Sequence, residues 1–203
     1  MKSTPLKLPS PVHGMRIGLF GGSFDPAHEG HAHVAETALK RLKLDYVWWI
    51  PARGNPLKST ETPFAKRFTT AKTFARGDKM RVTDIEFRLG LTYTNALIQT
   101  LVRRAPNTSF VWLMGGDNLL GFHRWQGWTQ IAETVPIAVV ARPGAGPRAR
   151  FSKFARRYAQ YRLPDRQASV VANQSAPHWV HLRAPLNNES STRLRQQALE
   201  KKN

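Results

Sequence analysis

The sequence predicts an α/β protein of three layers, a parallel central sheet with helices on both faces. Three observations carry this. Short apolar runs recur at Ile17–Phe20, Leu44–Ile50, Phe110–Met114 and Val135–Ala141. Segments with helical spacing of apolar residues lie between them. The chain of 203 residues, 41% hydrophobic, suits one good core. Strands alternating with helices argue for a parallel sheet covered on both sides. Ligands of such sheets sit beyond the carboxyl ends of the strands.

The elements follow in order. Residues 1–14 hold three prolines and two lysines. They read as a basic tail rather than a secretory signal, which leaves 15–203 as a single domain. Ile17-Gly18-Leu19-Phe20 reads as a buried strand. Beyond the glycine-rich stretch that follows, Ala32, Val34, Ala35, Ala38, Leu39 and Leu42 share one helix face. Leu44–Ile50 is aromatic and β-branched, hence a second strand. Pro51–Pro63 is a loop of turn formers, Ala65–Ala75 a helix, Met80–Phe87 a strand and Arg88–Thr92 a loop. Tyr93–Arg103 reads as a helix with Ala96, Leu97, Leu101 and Val102 inward. Gly115-Gly116 ends the Phe110–Met114 strand, and Asp117 can cap a helix over 118–122. Val135–Ala141 is a further strand and Gly144-Ala145-Gly146-Pro147 a linker. Phe151, Phe154, Tyr158 and Tyr161 recur at three- and four-residue spacing within the arginine-rich Arg148–Arg166. The preferred reading is one helix docked by its aromatics with its arginines in water; the other is a nucleic-acid patch. Ser190 or Ser191 opens a last helix with Leu194, Ala198 and Leu199 inward.

Charge narrows the partners. Lys and Arg number 31 against 13 acidic residues, a net charge of +18. Such a field captures anions, nucleic acid or small phosphorylated substrates, unless it is simply a basic surface with no specific partner. There is no cysteine, so disulfide and thiolate chemistry are excluded, in keeping with a cytoplasmic location. No apolar run approaches the roughly 18 residues of a membrane span.

The chemistry concentrates at Gly21-Gly22-Ser23-Phe24-Asp25-Pro26-Ala27-His28-Glu29-Gly30-His31. A strand, a glycine turn and a helix start expose backbone N–H groups that suit an anion. His28 and His31, three apart, share a face in a helical turn. His28, His31 and His33 lack the spacing of a metal site. Gly18 and Gly21 are one residue too far apart for the dinucleotide fingerprint, and the Gly-Lys-Ser/Thr phosphate loop is absent.

Phe20 to His31 closely resembles the Gly-Gly-x-Phe-Asp-Pro-x-His-x-Gly-His motif of the nucleotidylyltransferases, and among them that of the bacterial nicotinate-nucleotide adenylyltransferases. Ala27 stands where the family often has Pro. Further stretches match in order. Asn55-Pro56-Leu57-Lys58 resembles the Asn-Pro-x-Lys loop after the second strand. Arg88-x-Gly90-x-Thr92-Tyr93-Thr94 resembles Arg-x-Gly-x-Ser-Tyr-Thr, with Leu91 in place of Pro and Asn95-Ala96 in place of Asp-Thr. Gly115-Gly116-Asp117 resembles the Gly-x-Asp motif, and Trp125 matches a tryptophan that stacks on the pyridine ring. Glu189-Ser190-Ser191-Thr192-Arg193-Leu194-Arg195 resembles Ile-Ser-Ser-Thr-x-Ile-Arg, with Glu189 replacing the apolar residue.

The resemblance implies a three-layer, Rossmann-like nucleotidylyltransferase fold. It implies transfer of AMP from ATP to nicotinate mononucleotide, giving nicotinate adenine dinucleotide and pyrophosphate. His28 and His31 are then catalytic. Gly21, Gly22, Ser23, Phe24, His28, His31, Gly115, Asp117, Ser191, Thr192 and Arg195 are expected at ATP. Asn55, Lys58, Tyr93, Thr94 and Trp125 are expected at nicotinate mononucleotide. Mg2+ would arrive bound mainly through ATP, with no metal ligands of the chain's own. No membrane and no specific nucleic-acid partner are expected, and a homo-oligomer is compatible. Two alternatives remain: adenylyl transfer to nicotinamide mononucleotide or phosphopantetheine, and, from another class, RNA binding.

Overall fold

Among the described residues, seven parallel strands form one sheet in the order β3-β2-β1-β4-β5-β7-β6. The computed structural model describes residues 7–54, 62–143, 149, 151–185 and 189–200. In chain order the elements are β1 (Arg16–Gly22), α1 (Glu29–Arg41), β2 (Tyr46–Pro51), α2 (Phe64–Phe74), β3 (Met80–Val82), α3 (Ile85–Arg88), α4 (Thr94–Arg104) and β4 (Ser109–Gly115). Then come α5 (Gly116–Gly121), α6 (Trp128–Thr134), β5 (Ile137–Val140), α7 (Lys153–Arg157), β6 (Arg162–Leu163), β7 (Trp179–Leu182) and α8 (Ser191–Glu200). The strand order turns back at β1, between β2 and β4, which places a ligand crevice at the carboxyl end of β1.

Alternation along the strands builds two cores. Ile17, Leu19, Trp48, Ile50, Trp112, Met114 and Trp179 face one side, where α4, α6 and α7 cover them with Leu97, Ile98, Ile131 and Phe154. Phe20, Val47, Trp49, Val111, Leu113 and Val180 face the other, under Val34, Ala35 and Ala38 of α1 and Ala71 of α2. Small residues on α1 let it lie close to β1 and β4. Gly21 is required at the end of β1, because a Cβ there would collide with the Trp112 ring. Residues 7–14 dock on the first core: Leu8 and Val12 pack against it, and Ser10 Oγ accepts the Trp48 Nε1–H at 3.0 Å.

Three expectations are corrected, and two elements are new. The Met80–Phe87 strand stops at Val82, and Ile85–Arg88 is a helical turn. Thr83 Oγ1 accepts the Ile85 N–H at 3.2 Å and Asp84 holds Arg88 at 2.7 Å, so local side-chain bonds override β propensity. Asp117 is not the cap of its helix. α5 starts at Gly116, directly off β4, with Gly115 as its N-cap. Arg148–Arg166 is not one helix. Its described residues hold the short α7, a 3-10 turn over Ala159–Tyr161 and all of β6. Phe154 and Tyr158 are buried as expected, but Phe151 is 66% exposed. Tyr158 explains the break, since its carbonyl accepts the Trp179 Nε1–H at 2.8 Å and turns the chain back beside β7. Finally, β7 and the 3-10 segment Asp165–Asn173 were not anticipated. Arg148, Arg150 and the linker 144–147 lie outside the described residues, as do the side chains of Ala198 and Leu199.

Candidate active site

Beyond the carboxyl ends of β1, β4 and β5 lies a cleft of about 770 Å³. Its floor is the glycine-rich turn. His28 is the N-cap of α1, with extended backbone at φ −158° and ψ 173°. Its Nδ1 accepts the Gly30 N–H at 3.0 Å, while His31 Nδ1 accepts the His28 N–H at 3.3 Å. This reciprocal box satisfies two exposed N–H groups of the helix start. The rings lie 3.9 Å apart, centroid to centroid. With Nδ1 accepting, either ring in its neutral form carries its proton on Nε2. Burial, and then the positive charge of Arg142, lower the His28 pKa to about 4. His28 is therefore neutral at neutral pH and presents an N–H donor rather than a cation.

Phe24 was expected at ATP through its backbone, and its side chain points away from the cleft. Its ring is buried and does not line the cleft; it packs edge-on against Phe20 and His31, the latter at 5.0 Å. It backs the His31 ring. Its own backbone sits at φ 47°, an uncommon region for a bulky residue.

The start of α8 closes the cleft from the opposite wall. Arg195 donates from Nη1 to the Asp25 carbonyl, and Ser191 Oγ donates to the Pro26 carbonyl at 2.9 Å. Ser190 Oγ accepts the Arg193 N–H at 3.3 Å, so Ser190 acts in the capping role expected of Ser190 or Ser191. Glu189 Oε2 accepts the Glu29 N–H at 2.9 Å. A carboxylate thus occupies the N-terminus of α1, where a negative charge is stabilised. Arg142, just after β5, donates to the Glu189 carbonyl, and its Nε lies 3.9 Å from Asp117 Oδ1. Sequence reading missed Arg142. Its signal was an arginine immediately beyond a predicted strand's carboxyl end.

The other half of the cleft is aromatic and more open. Trp125 stands edge-on to Trp112 and Phe122, at 6.2 and 5.4 Å, and lines the space. Thr92, Tyr93 and Thr94 lie along the same cleft, with Tyr93 41% exposed. Glu86, also missed, is buried in this wall and accepts the Arg53 N–H at 2.9 Å. Burial pushes its carboxyl up to about 7. Under it, fully buried Arg67 donates to the carbonyls of Ser23, Ala52 and Thr62 at 2.7, 2.9 and 3.0 Å.

The fold thus gathers Gly21, Gly22, Ser23, His28, His31, Tyr93, Thr94, Gly115, Asp117, Trp125, Ser191, Thr192 and Arg195 around one cleft. Asn55 and Lys58 lie outside the described residues. Among the described residues no three His, Asp or Glu side chains form a metal-binding group.

The family model described as cytidylyltransferase-like matches residues 19–197. The protein named probable nicotinate-nucleotide adenylyltransferase of a Caulobacter species is 55% identical over 183 residues, covering 89% of this chain and 97% of that protein. One of the same name from Cereibacter sphaeroides is 47% identical over 182 residues, covering 89% and 96%. In fold, the chain is similar to Plasmodium falciparum nicotinic acid mononucleotide adenylyltransferase complexed with NaAD. That likeness has a TM-score of 0.66 at 19% identity and covers 89% of this chain and 82% of the other.

Proposed function

The chain belongs to the cytidylyltransferase-like family, and within it to the nicotinate-nucleotide adenylyltransferases; we propose the following division of labour for its cleft. The reaction moves AMP from ATP to nicotinate mononucleotide. An oxygen of the acceptor phosphate attacks the α-phosphorus of ATP, the bond from that phosphorus to the β-phosphate bridge breaks, and pyrophosphate leaves. No protein nucleophile takes part, so catalysis is positioning and charge stabilisation.

The turn Gly21–Ser23 gives the close backbone approach that a nucleotide needs. His28 and His31 donate Nε2–H groups to the phosphoryl oxygens as charge builds on them. A neutral His28 suits this, because a fixed N–H stabilises developing charge without requiring protonation. Ser191, Thr192 and Arg195, on the N-terminus of α8, grip the outer phosphates from the facing wall. Gly115 and Asp117 lie at the nucleoside end. Trp125 covers the pyridine ring, Tyr93 and Thr94 receive its carboxylate, and Asn55 and Lys58 meet the acceptor phosphate.

The donor set suits a magnesium ion held by phosphate oxygens and water, since the described cleft offers Asp117 and Glu86 on different walls but no carboxylate cage. When bound, Mg2+ supplies further neutralisation of the phosphates. ATP as co-substrate suits a cytoplasmic enzyme.

The observation that carries this reading is the convergence of two helix N-termini, those of α1 and α8, on the His28–His31 pair. An RNA-binding surface has no need for that. Labelled ATP tests it. With nicotinate mononucleotide, the label in the adenylyl group should pass wholly to the dinucleotide, one pyrophosphate per transfer, with no labelled protein. Labelled protein, or ADP as the product, contradicts it.

A further inference from the structure

Glu86 has no part in the transfer described above, yet it is a buried carboxyl in the wall of the cleft. Three bonds close a ring around it. Its Oε1 accepts the Arg53 N–H at 2.9 Å, the Arg53 guanidinium donates to the Gly90 carbonyl at 3.0 Å, and Leu91 N–H donates to the Glu86 carbonyl at 3.1 Å. The ring joins the end of β2 to the loop that leads into Thr92, Tyr93 and Thr94. Gly90 serves it at φ +65°, a left-handed conformation that glycine adopts freely.

We propose that Glu86 is a positioning residue for the acceptor: through Arg53 and Gly90 it fixes the width of the wall against which nicotinate mononucleotide lies. The inference rests on the adenylyltransferase reading. The wall is also indexed to the donor side. Arg67 of α2 faces Glu86 and Asp25 electrostatically, and its fork holds Ser23 of the β1 turn and Ala52 after β2 together. The charge facing Glu86 is that of Arg67, with Asp25 beyond it, while Arg53 meets Glu86 through its backbone N–H. None of the residues of this ring is among those assigned above to the phosphates, so the role given to Glu86 runs through the loops and not through the reacting atoms. Burial of so costly a group beside a substrate wall, with one of its two oxygens spent on a backbone N–H, is better explained by loop placement than by stability.

The test is steady-state kinetics on three variants with ATP and nicotinate mononucleotide varied separately. Glu86→Ala should raise the acceptor KM about tenfold, as expected for losing one buried bond to a charged group, with the ATP KM within about twofold. Glu86→Gln keeps an oxygen for the Arg53 N–H and should restore the acceptor KM to within about threefold of wild type. Arg53→Ala removes only an exposed side chain. It should raise the acceptor KM about threefold with an unchanged Tm, and it decides the matter if Glu86→Ala fails to fold. A folded Glu86→Ala or Arg53→Ala with unchanged acceptor KM, or with both KM values raised alike, overturns the inference. Inactive wild type would instead fail the adenylyltransferase reading itself; active wild type with unshifted variants fails the inference alone.

Discussion

His31 takes its tautomer from His28: its Nδ1 accepts the His28 backbone N–H at 3.3 Å, while His28 Nδ1 accepts the Gly30 N–H at 3.0 Å. The helix start that needs capping therefore also sets which ring nitrogens carry protons. Catalysis and local stability are built from the same two side chains.

The first prediction separates these roles at His31. His31→Ala should lower kcat by about two to four decades, the range for losing one preorganised donor. Loss of its half of the capping box should cost only about 1 kcal/mol of stability. Circular dichroism with urea unfolding checks the fold and turnover checks the role. Normal turnover in a folded variant would remove His31 from the mechanism.

The second prediction concerns acid. The His28 pKa is lowered to about 4 in the folded protein, from the ordinary histidine value of 6.5. Its folded state binds fewer protons than the unfolded chain in that window, so stability falls as pH drops from 6.5 towards 4 and is unaffected above. Asn is a good N-cap and does not titrate. Stability of wild type relative to His28→Asn should therefore be flat above pH 7 and decline below 6.5. A flat difference down to pH 4 would mean His28 charges freely.

The third prediction is at Trp125. Trp125→Ala should raise the KM for the acceptor more than that for ATP, since a stacked ring is worth about 0.5–1.5 kcal/mol beyond its area. Its edge contacts with Trp112 and Phe122 give it a packing role too, so unfolding is followed in parallel. A selective loss of ATP affinity would place the pyridine ring elsewhere.

Legibility from sequence followed locality. β1, α1, β2 and β4 each combine an unbroken period with clear glycine or helix-start signals, so their existence and order could be read. The two histidines and the Ser191–Arg195 helix start were legible because their chemistry lies in contiguous residues. Glu86 and Arg142 were not, because their meaning depends on partners far along the chain: Arg53 for one, Glu189 for the other. Arg148–Arg166 misled for a related reason. Its aromatic spacing is helical, but Trp179 draws the Tyr158 carbonyl away and the chain turns into β6. In the 80–87 segment, Thr83 and Asp84 carried a turn signal that β-rich neighbours obscured.

The fourth prediction addresses the charge of +18. Arg156 and Arg157 lie outside the cleft lining, and Arg157 rests over Trp128 and 3.9 Å from Glu133. Neutralising both should lower kcat/KM modestly at low salt and leave kcat unchanged, because salt screens such steering over about 8–10 Å. A loss of kcat at both low and physiological salt would place this segment in an active site.

The central claim is tested most directly by measuring kcat/KM for pyrophosphate release with ATP and, in turn, nicotinate mononucleotide, nicotinamide mononucleotide and phosphopantetheine. Nicotinate mononucleotide should be the best acceptor and nicotinate adenine dinucleotide the product. A higher kcat/KM with either of the others, or no acceptor-dependent pyrophosphate at all, would contradict the account.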